Sequence, residues 1–554
     1  MIIGLDVGGT HTDVVLLGPE GLVARAKEVT DHGDLVSTVI RGVDGVLAGV
    51  KPETIKRVVL STTLTTNSVI RNTLTPVGMV VAAGPGMAPE LHAIGPSFHV
   101  VKGALDHRGA EIAALDRGEV EKALSRIREE GISALGLVTK FSVRNPAHEE
   151  AMEKAAKGRF DTVFCGHRMS GVLNFPRRIA SCWLNAAVHG AYATFRKAVL
   201  EAFSARGITA PVHVLKADGG TFSLDAALEC PGETVLSGPS ASVMGAIPHA
   251  PLGKDVLVLD IGGTTTDMAV LISGVPVLEP LGAEVGGVKT LFRALKSVSI
   301  GLGGDSELKV IEGRLAIGPD RKGPALCLGG PVPTPTDAMA VLGLYEGGDR
   351  AAALRGMETL GASLDMDAEA VSYFVLKNLC EKIRDAAFSM VEAINGRPVY
   401  TLHEMLEGYT VKPEALLVMG GPAAVLAEGL AVASGLDARA VPDWGVANAI
   451  GAALARTTCA VTVLADTQRG FVRAPEEGYS KEAPIAFTME DAIRLAGDLV
   501  RQKALRLGAD AEGLEVEVLE AQEFSMMRGY RRAGRNIRVR AQVRPGLIRN
   551  GGRG

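Results

Sequence analysis

Cysteine is sparse: six residues in 554 (Cys165, Cys182, Cys230, Cys327, Cys380 and Cys459), scattered and with no Cys-x-x-Cys pair. That spacing argues against a structural zinc site and against a disulfide framework, so they read as buried or free thiols. An excess of one charge is also lacking. With 58 Lys and Arg against 63 Asp and Glu, the net charge of -5 gives no reason to expect a nucleic acid or membrane partner. Long clean hydrophobic runs are missing too: the stretch Leu416 to Leu436 carries Glu428 and several glycines and falls short of the ~20 apolar residues of a membrane span. The opening Met-Ile-Ile-Gly-Leu-Asp already reads as a strand with no basic leader, which leads us to expect a cytoplasmic protein. Apolar residues at 47% and charged residues at 22% exclude disorder as the main theme, and the length suggests roughly three or four domains.

What is present is a repeated pattern. Leu5-Asp-Val-Gly-Gly-Thr-His-Thr-Asp13 and Leu259-Asp-Ile-Gly-Gly-Thr-Thr-Thr-Asp267 lie 254 residues apart, and from Leu5–Leu17 to Leu259–Leu271 they share 8 of 13 residues. The shared residues are the chemically useful ones: an Asp, a Gly pair, a Thr and a second Asp. Apolar runs on both sides of each copy predict a strand-turn-strand, whereas a P-loop or dinucleotide fingerprint leads from its glycines into a helix. In such a turn the glycines Gly8, Gly9, Gly262 and Gly263 are expected to take backbone angles closed to other residues. Their N–H groups, with the hydroxyls of Thr10, Thr12, Thr264 and Thr265, would then converge on phosphate oxygens. Asp6 and Asp260, each at a strand end, are placed to hold Mg²⁺ directly or through water, because hard cations that bridge phosphates prefer carboxylate oxygen. Asp13 and Asp267 close the two patterns.

Around these copies the chain alternates strands with helices, an α/β pattern. A helix is expected near Leu35 to Leu47 and a strand at Arg57 to Leu60. Ser61-Thr-Thr-Leu-Thr-Thr-Asn67 follows; six hydroxyl or amide residues in seven positions exceed what one helix cap needs, so Thr62, Thr63 and Asn67 are read as a second wall of the site. His148, in the first turn of an expected helix, fits a surface or capping role better than a ligand. In the second half, Ser299-Ile-Gly-Leu-Gly-Gly-Asp305 supplies a Gly-rich turn with Gly303 and Gly304, and a Pro-rich loop ends at Asp337. Leu416-Leu-Val-Met-Gly-Gly-Pro422 is a buried strand opening at Gly420 and Gly421, the kind of strand end where α/β sheets bind ligands. The last ~85 residues predict a helix starting at a Thr488-Met-Glu-Asp491 capping box and a strand at Asn536 to Arg544. There Ile537, Val539, Ala541 and Val543 alternate with Arg538, Arg540, Gln542 and Arg544, which reads as a half-buried strand with a solvated face rather than a nucleic-acid surface.

Two such hairpins and a late Gly-Gly strand end resemble the actin, sugar-kinase and heat-shock ATPase superfamily, in which two related lobes close on Mg-ATP. Within it the chain resembles the A-type subunit of the hydantoinase/oxoprolinase family. The matching segments are Asp6–Asp13, Ser61–Asn67, Asn145-Pro-Ala-His-Glu149, Leu236-Ser-Gly-Pro239, Asp260–Asp267, Gly323-Pro-Ala-Leu-Cys327 and Pro335-Thr-Asp337, in the family's order across residues 1 to 465. Three departures stand out: Asp305 in a turn that is small and neutral in the family, Leu426 where the family has His, and Arg321-Lys322 in a small-residue stretch. The resemblance implies duplicated actin-like (ribonuclease H-like) lobes at residues 1–180 and 255–465, a connecting segment at 181–254 and a small α+β domain at 466–554. It also implies ATP and Mg²⁺, with Asp6 and Asp260 flanking the γ-phosphate, one anchoring the metal and the other orienting or deprotonating the acceptor oxygen. Gly420 and Gly421 would let the adenosine lie against the strand end, and Asp305 and Asp337 are candidates for substrate or metal contact. The implied activity is ATP-dependent activation of an amide, lactam (hydantoin- or oxoproline-like) or ketone carbonyl in a small-molecule substrate. Hydrolysis or carboxylation would follow, with a possible B-type partner subunit in a homo- or hetero-oligomer. A sugar-type kinase and a nucleotide-gated activator ATPase are the alternatives; the absence of a Cys cluster argues against an iron–sulfur form of the latter.

Overall fold

The strand Ile2–Val7 is almost continuously apolar and buried, the pattern of a strand covered on both faces. It lies inside a six-stranded sheet in the order Thr221–Ser223, Val212–Leu215, Arg57–Thr62, Ile2–Val7, His11–Gly18, Gly21–Val29. It runs antiparallel to His11–Gly18 and parallel to Arg57–Thr62. The structure, a computed structural model, describes residues 1–548 except 32, 397–408, 512 and 529.

The second half repeats this arrangement. Asp255–Ile261 is antiparallel to Thr266–Ile272 and parallel to Pro413–Met419, which is in turn parallel to Asp437–Ala440. The expected pair of related α/β lobes is therefore built, each with its hairpin beside a parallel neighbour. The first sheet, however, takes Val212–Leu215 and Thr221–Ser223 from the segment expected to connect the lobes. Residues 77–165 add a separate parallel sheet, ordered Thr162–Cys165, Ala134–Thr139, Val77–Ala82, Ser97–Val100. The helix Phe175–Ser204 serves both: Ile179 and Cys182 pack under the inserted sheet, and Tyr192, Phe195 and Val199 under the first.

Two short helices rich in small residues bring the lobes together. A methyl at Gly4 would lie 2.2 Å from the Ala449 carbonyl, so the helix Ala447–Leu454 rests directly on the first sheet. Gly451 lies equally close, 2.3 Å on the same measure, to the Ala241 carbonyl, and Gly245 to that of Ala447. Without Cβ atoms at these crossings, Ala447–Leu454 and Ser237–Ala246 approach backbone to backbone.

The C-terminal region is an antiparallel sheet ordered Tyr479–Glu482, Phe471–Ala474, Ala460–Asp466, Arg531–Val543, Val516–Arg528. The helix Met489–Arg506 packs on it, and its Thr488/Asp491 capping box is formed as expected. Ile537, Val539, Ala541 and Val543 are fully buried beneath that helix. The opposite face is not simply solvated: Gln542 is buried, and Arg538 pairs with Glu520 of the neighbouring strand at 3.2 Å.

Candidate functional site

Strand pairing places the two Asp residues of each hairpin side by side: Asp6 opposite Asp13, and Asp260 opposite Asp267. Both turns close in the same way, with Gly8 N–H donating to the His11 carbonyl at 3.0 Å and Gly262 N–H to that of Thr265 at 2.9 Å. None of Gly8, Gly9, Gly262 and Gly263 takes a left-handed backbone, which corrects the expectation of unusual angles. Glycine is needed there for close approach: a methyl at Gly8 would sit 2.8 Å from the His11 carbonyl oxygen, and one at Gly263 2.6 Å from Asp305 Oδ2. Gly303 packs on the same turn, 2.5 Å from the Gly262 carbonyl by that measure, and Gly304 N–H donates to it at 2.9 Å.

The hairpins meet at one amide. Asn448 Nδ2 lies 2.9 Å from Asp260 Oδ2 and 3.3 Å from Asp6 Oδ2, and Ser242 Oγ donates to the same Asp260 oxygen at 2.6 Å. The close-packed helices described above deliver both residues. Burial, opposed by hydrogen bonds from Ser61 and Asn448, pushes the Asp6 carboxyl up to about 7, and Asp6 Oδ1 is buried with no hydrogen-bond partner. Asp267 is pushed up to about 7 by burial and by the charge of Asp260. Its counterpart Asp13 is raised by burial too, but Lys27 Nζ at 2.6 Å opposes the shift. The hydroxyls of Thr10, Thr264 and Thr265 make no hydrogen bond to the described residues, leaving them available to an oxyanion. Gly420, at φ +90°, comes so near Asp260 that a methyl would lie 2.7 Å from its Oδ1; beside Gly421 the space is open. An orphaned carboxylate oxygen beside a second carboxylate and free hydroxyls fits Mg²⁺ together with phosphate, since Mg²⁺ binds through one or two carboxylates plus phosphate oxygens.

Several expected site residues lie elsewhere. Thr12 alternates away from Asp13 onto the core face, fully buried, with its hydroxyl 3.0 Å from that of Thr30. Thr62 Oγ1 accepts from Leu64 N–H, and Asn67 Nδ2 donates to Thr63 Oγ1, so these three cap and brace the helix Leu64–Ile70. Of the remaining hydroxyls of that cluster, Thr65 meets Thr234 at 2.7 Å and Thr66 accepts from Leu236 N–H, while Ser61 reaches Asp6. Asp337 is fully buried, its two oxygens accepting from Leu326, Cys327 and Thr334 N–H and from Thr334 Oγ1. Every one of those donors is local, so its role is to cap the helix Pro335–Val341 and hold the preceding loop, not to meet a ligand. Asp305 does reach the second turn, but it is ion-paired with Arg321 at 3.0 Å. Two of the family departures thus compensate each other. His148 is buried, with Glu111 3.6 Å away, while Glu149 accepts from Thr139 N–H at 2.6 Å and joins His167 Nδ1 at 2.6 Å. This segment is a buried brace. Asn448 and Ser242 escaped the sequence reading; the one available signal was a single amide or hydroxyl in helices otherwise made of small apolar residues.

A duplicated α/β protein with one acidic hairpin per lobe is the class these features define. The chain matches the hydantoinase/oxoprolinase N-terminal region over residues 2–160 and hydantoinase/oxoprolinase over residues 178–461, the latter just over half of its length. It belongs to the hydantoinase/oxoprolinase family. It is 24% identical over 463 residues to the caprolactamase subunit alpha of Pseudomonas jessenii, covering 76% of this chain and 65% of that protein. To the acetophenone carboxylase gamma subunit of Aromatoleum aromaticum it is 26% identical over 321 residues, 51% of this chain and 43% of that one. The chain thus spans less than two thirds of either relative. Among solved structures, the ATP-dependent caprolactamase from Pseudomonas jessenii superposes with a TM-score of 0.71 at 18% identity, over 100% of this chain and 88% of that one. Nucleotide-free acetone carboxylase superposes with a TM-score of 0.69 at 17% identity, over 99% and 88%. These likenesses establish the fold.

Proposed function

We propose that the cleft between the hairpins binds ATP and that the protein transfers its γ-phosphoryl group to a carbonyl oxygen of an amide, lactam or ketone. The observation that carries this reading is the sharing of the Asn448 amide by Asp6 and Asp260, carboxylates from hairpins 254 residues apart. Phosphoryl transfer asks little covalent chemistry of a protein; positioning and charge stabilisation do most of the work. Thr10, Thr264 and Thr265, with the turn N–H groups, would hold the phosphate oxygens, and Gly420 and Gly421 would let the nucleoside lie against the strand end. Asp6 and Asp260 would hold Mg²⁺, which when bound neutralises developing charge on the phosphates. Asp6, with its carboxyl near neutrality, is also suited to take up a proton from an acceptor. Phosphorylating the oxygen of an amide or enol turns a poor electrophile or leaving group into a good one. Hydrolysis of a cyclic amide or carboxylation of a ketone can follow, as the names of the caprolactamase and carboxylase relatives suggest. Both curated relatives are named as subunits, which supports a partner chain in a hetero-oligomer. Among the described residues no helix is long and apolar enough to cross a membrane.

The test is calorimetric titration of a nonhydrolysable ATP analogue with Mg²⁺ into wild type and Asp260→Ala. Binding to the wild type that is lost in the variant supports the assignment and leads to a screen of lactams, hydantoins and ketones for stimulated phosphate release. Equal binding to both would remove ATP from this cleft.

A further inference from the structure

The hairpin cleft is not the one recess that charged side chains line. A cavity of about 630 Å³, within the range of small-molecule sites, opens where the first sheet, the second lobe and the C-terminal sheet meet. Lys216 and Asp218 enter it from the end of the strand Val212–Leu215, Arg293 from the loop before Ser297–Ile300, and Arg540 from the strand Arg531–Val543. The strand Val212–Leu215 is one strand removed from Ile2–Val7 and parallel to the intervening one, so this cavity and Asp6 lie on the same carboxyl edge. At the usual strand spacing they are on the order of 10 Å apart.

Two of the carboxylates lining the cavity, Asp161 and Glu229, are exposed to solvent, and the others are already engaged. Asp218 accepts from Thr458 Oγ1 at 3.0 Å and Gly220 N–H at 3.0 Å, and Lys216 Nζ lies 3.5 Å from Asp218 and 3.4 Å from Glu233. Glu476 accepts from the backbone of Thr462 and Gly171. Glu477 meets both Lys503 and Arg506 at 2.6 Å. Two cations are left over. Both Nη atoms of Arg293 are shut off from solvent without a hydrogen-bond partner, and its nearest carboxylate contact is Nε to Asp218 at 3.9 Å. The Arg540 side chain makes no hydrogen bond or ion pair to the described residues. It is close enough to Arg293 that, after burial, the charge of Arg293 is the main influence holding its guanidinium below the ordinary value, with Arg538 adding and Glu476 and Glu520 opposing. Leaving the Nη atoms of Arg293 and the neighbouring Arg540 guanidinium without hydrogen-bond partners is costly unless an anion completes them. Phe222, Leu228, Leu291 and Met169 supply an apolar wall in the same cavity.

We propose that this cavity is a second binding site, for a small organic carboxylate with an aliphatic body, whose carboxylate is held by the Arg293 and Arg540 guanidiniums. The planar, forked guanidinium matches a carboxylate in two parallel hydrogen bonds, and the apolar wall takes the hydrocarbon. This assignment stands whether or not the cleft takes ATP. Of the arginines in the last strand, it gives a role to Arg540, which lines the cavity.

The test titrates hexanoate, glutarate and inorganic phosphate separately into the full-length wild type, Arg293→Gln and Arg540→Gln, with circular dichroism confirming that each variant is folded. At least one of the two carboxylates should bind the wild type and raise its thermal midpoint. Each variant should bind that carboxylate about tenfold more weakly or worse, the scale of losing a charge-assisted hydrogen bond. Should one variant not fold, the other carries the comparison. No binding of either carboxylate at 10 mM (about the weak limit of a specific site,), unchanged affinity in the folded variants, or phosphate binding more tightly than both carboxylates would overturn the proposal.

Discussion

The buried carboxyl of Asp6 makes a prediction about stability that requires no substrate. Its folded-state value of about 7 lies above the ordinary carboxyl value of 3.8, raised mainly by burial. A carboxyl raised in the folded state binds its proton more tightly there, so its contribution to stability is present in full below pH ~4 and is lost as pH rises towards ~7. Three units at about 1.36 kcal/mol each set an upper bound of roughly 4 kcal/mol on that loss; water entry and relaxation reduce it, so we expect about 1–4 kcal/mol. Asp6→Asn keeps the shape and the acceptor for Asn448 while removing the ionisation. Thermal midpoints of the nucleotide-free wild type and variant, compared at pH 5 and pH 8, should show the variant gaining on the wild type at the higher pH. The variant should also show a shallower decline over the interval, with the remaining slope containing the similar contribution of Asp267. Parallel pH profiles, or a variant that loses ground at pH 8, would refute the account of Asp6 as a carboxyl held near neutrality by burial.

Four further substitutions separate the cleft from its supports. Gly420→Ala places a methyl 2.2 Å from the Ile261 carbonyl at φ +90° and should lower the thermal midpoint and abolish detectable binding of the ATP analogue in calorimetry. Asn448→Ala removes the amide shared by both carboxylates and should weaken analogue binding about tenfold while leaving far-UV circular dichroism unchanged. Thr12→Val deletes a hydroxyl pair on the core face; a stability loss of about 1 kcal/mol with analogue affinity within about twofold of wild type is expected, and a large loss of affinity would return Thr12 to the site. Asp337→Ala strips four accepted hydrogen bonds from a buried loop and should cost about 2–4 kcal/mol in chemical denaturation with analogue affinity retained.

Which parts of the site could be read from the chain follows from how locally each is encoded. The hairpins were legible because every residue of each pattern acts within thirteen positions, and pairing then sets Asp6 beside Asp13 and Asp260 beside Asp267 with no help from distant chain. Thr12 resembles its phosphate-facing neighbours in type, yet the two-residue period of a strand puts Thr12 with Val14 in the core and Asp13 on the other face. Asp337 follows a related logic: a carboxylate after a Pro-rich loop looks available in the sequence, but its four donors, three of them backbone N–H groups, come from the folded loop. Asn448 and Ser242 were invisible because their importance depends on Gly4, Gly245 and Gly451 letting two helices approach the sheet and each other, a property of pairs hundreds of residues apart. The last strand shows the same limit in its simplest form. Alternation states that Arg538, Arg540 and Gln542 share one face, and the structure agrees; it cannot state what that face meets, and solvent was the default. Arg538 and Gln542 meet Glu520 and Glu517 of the neighbouring strand, while Arg540 enters a cavity shared with Lys216, Asp218 and Arg293, some 250 to 320 residues upstream, and is left to find its counter-charge in a ligand.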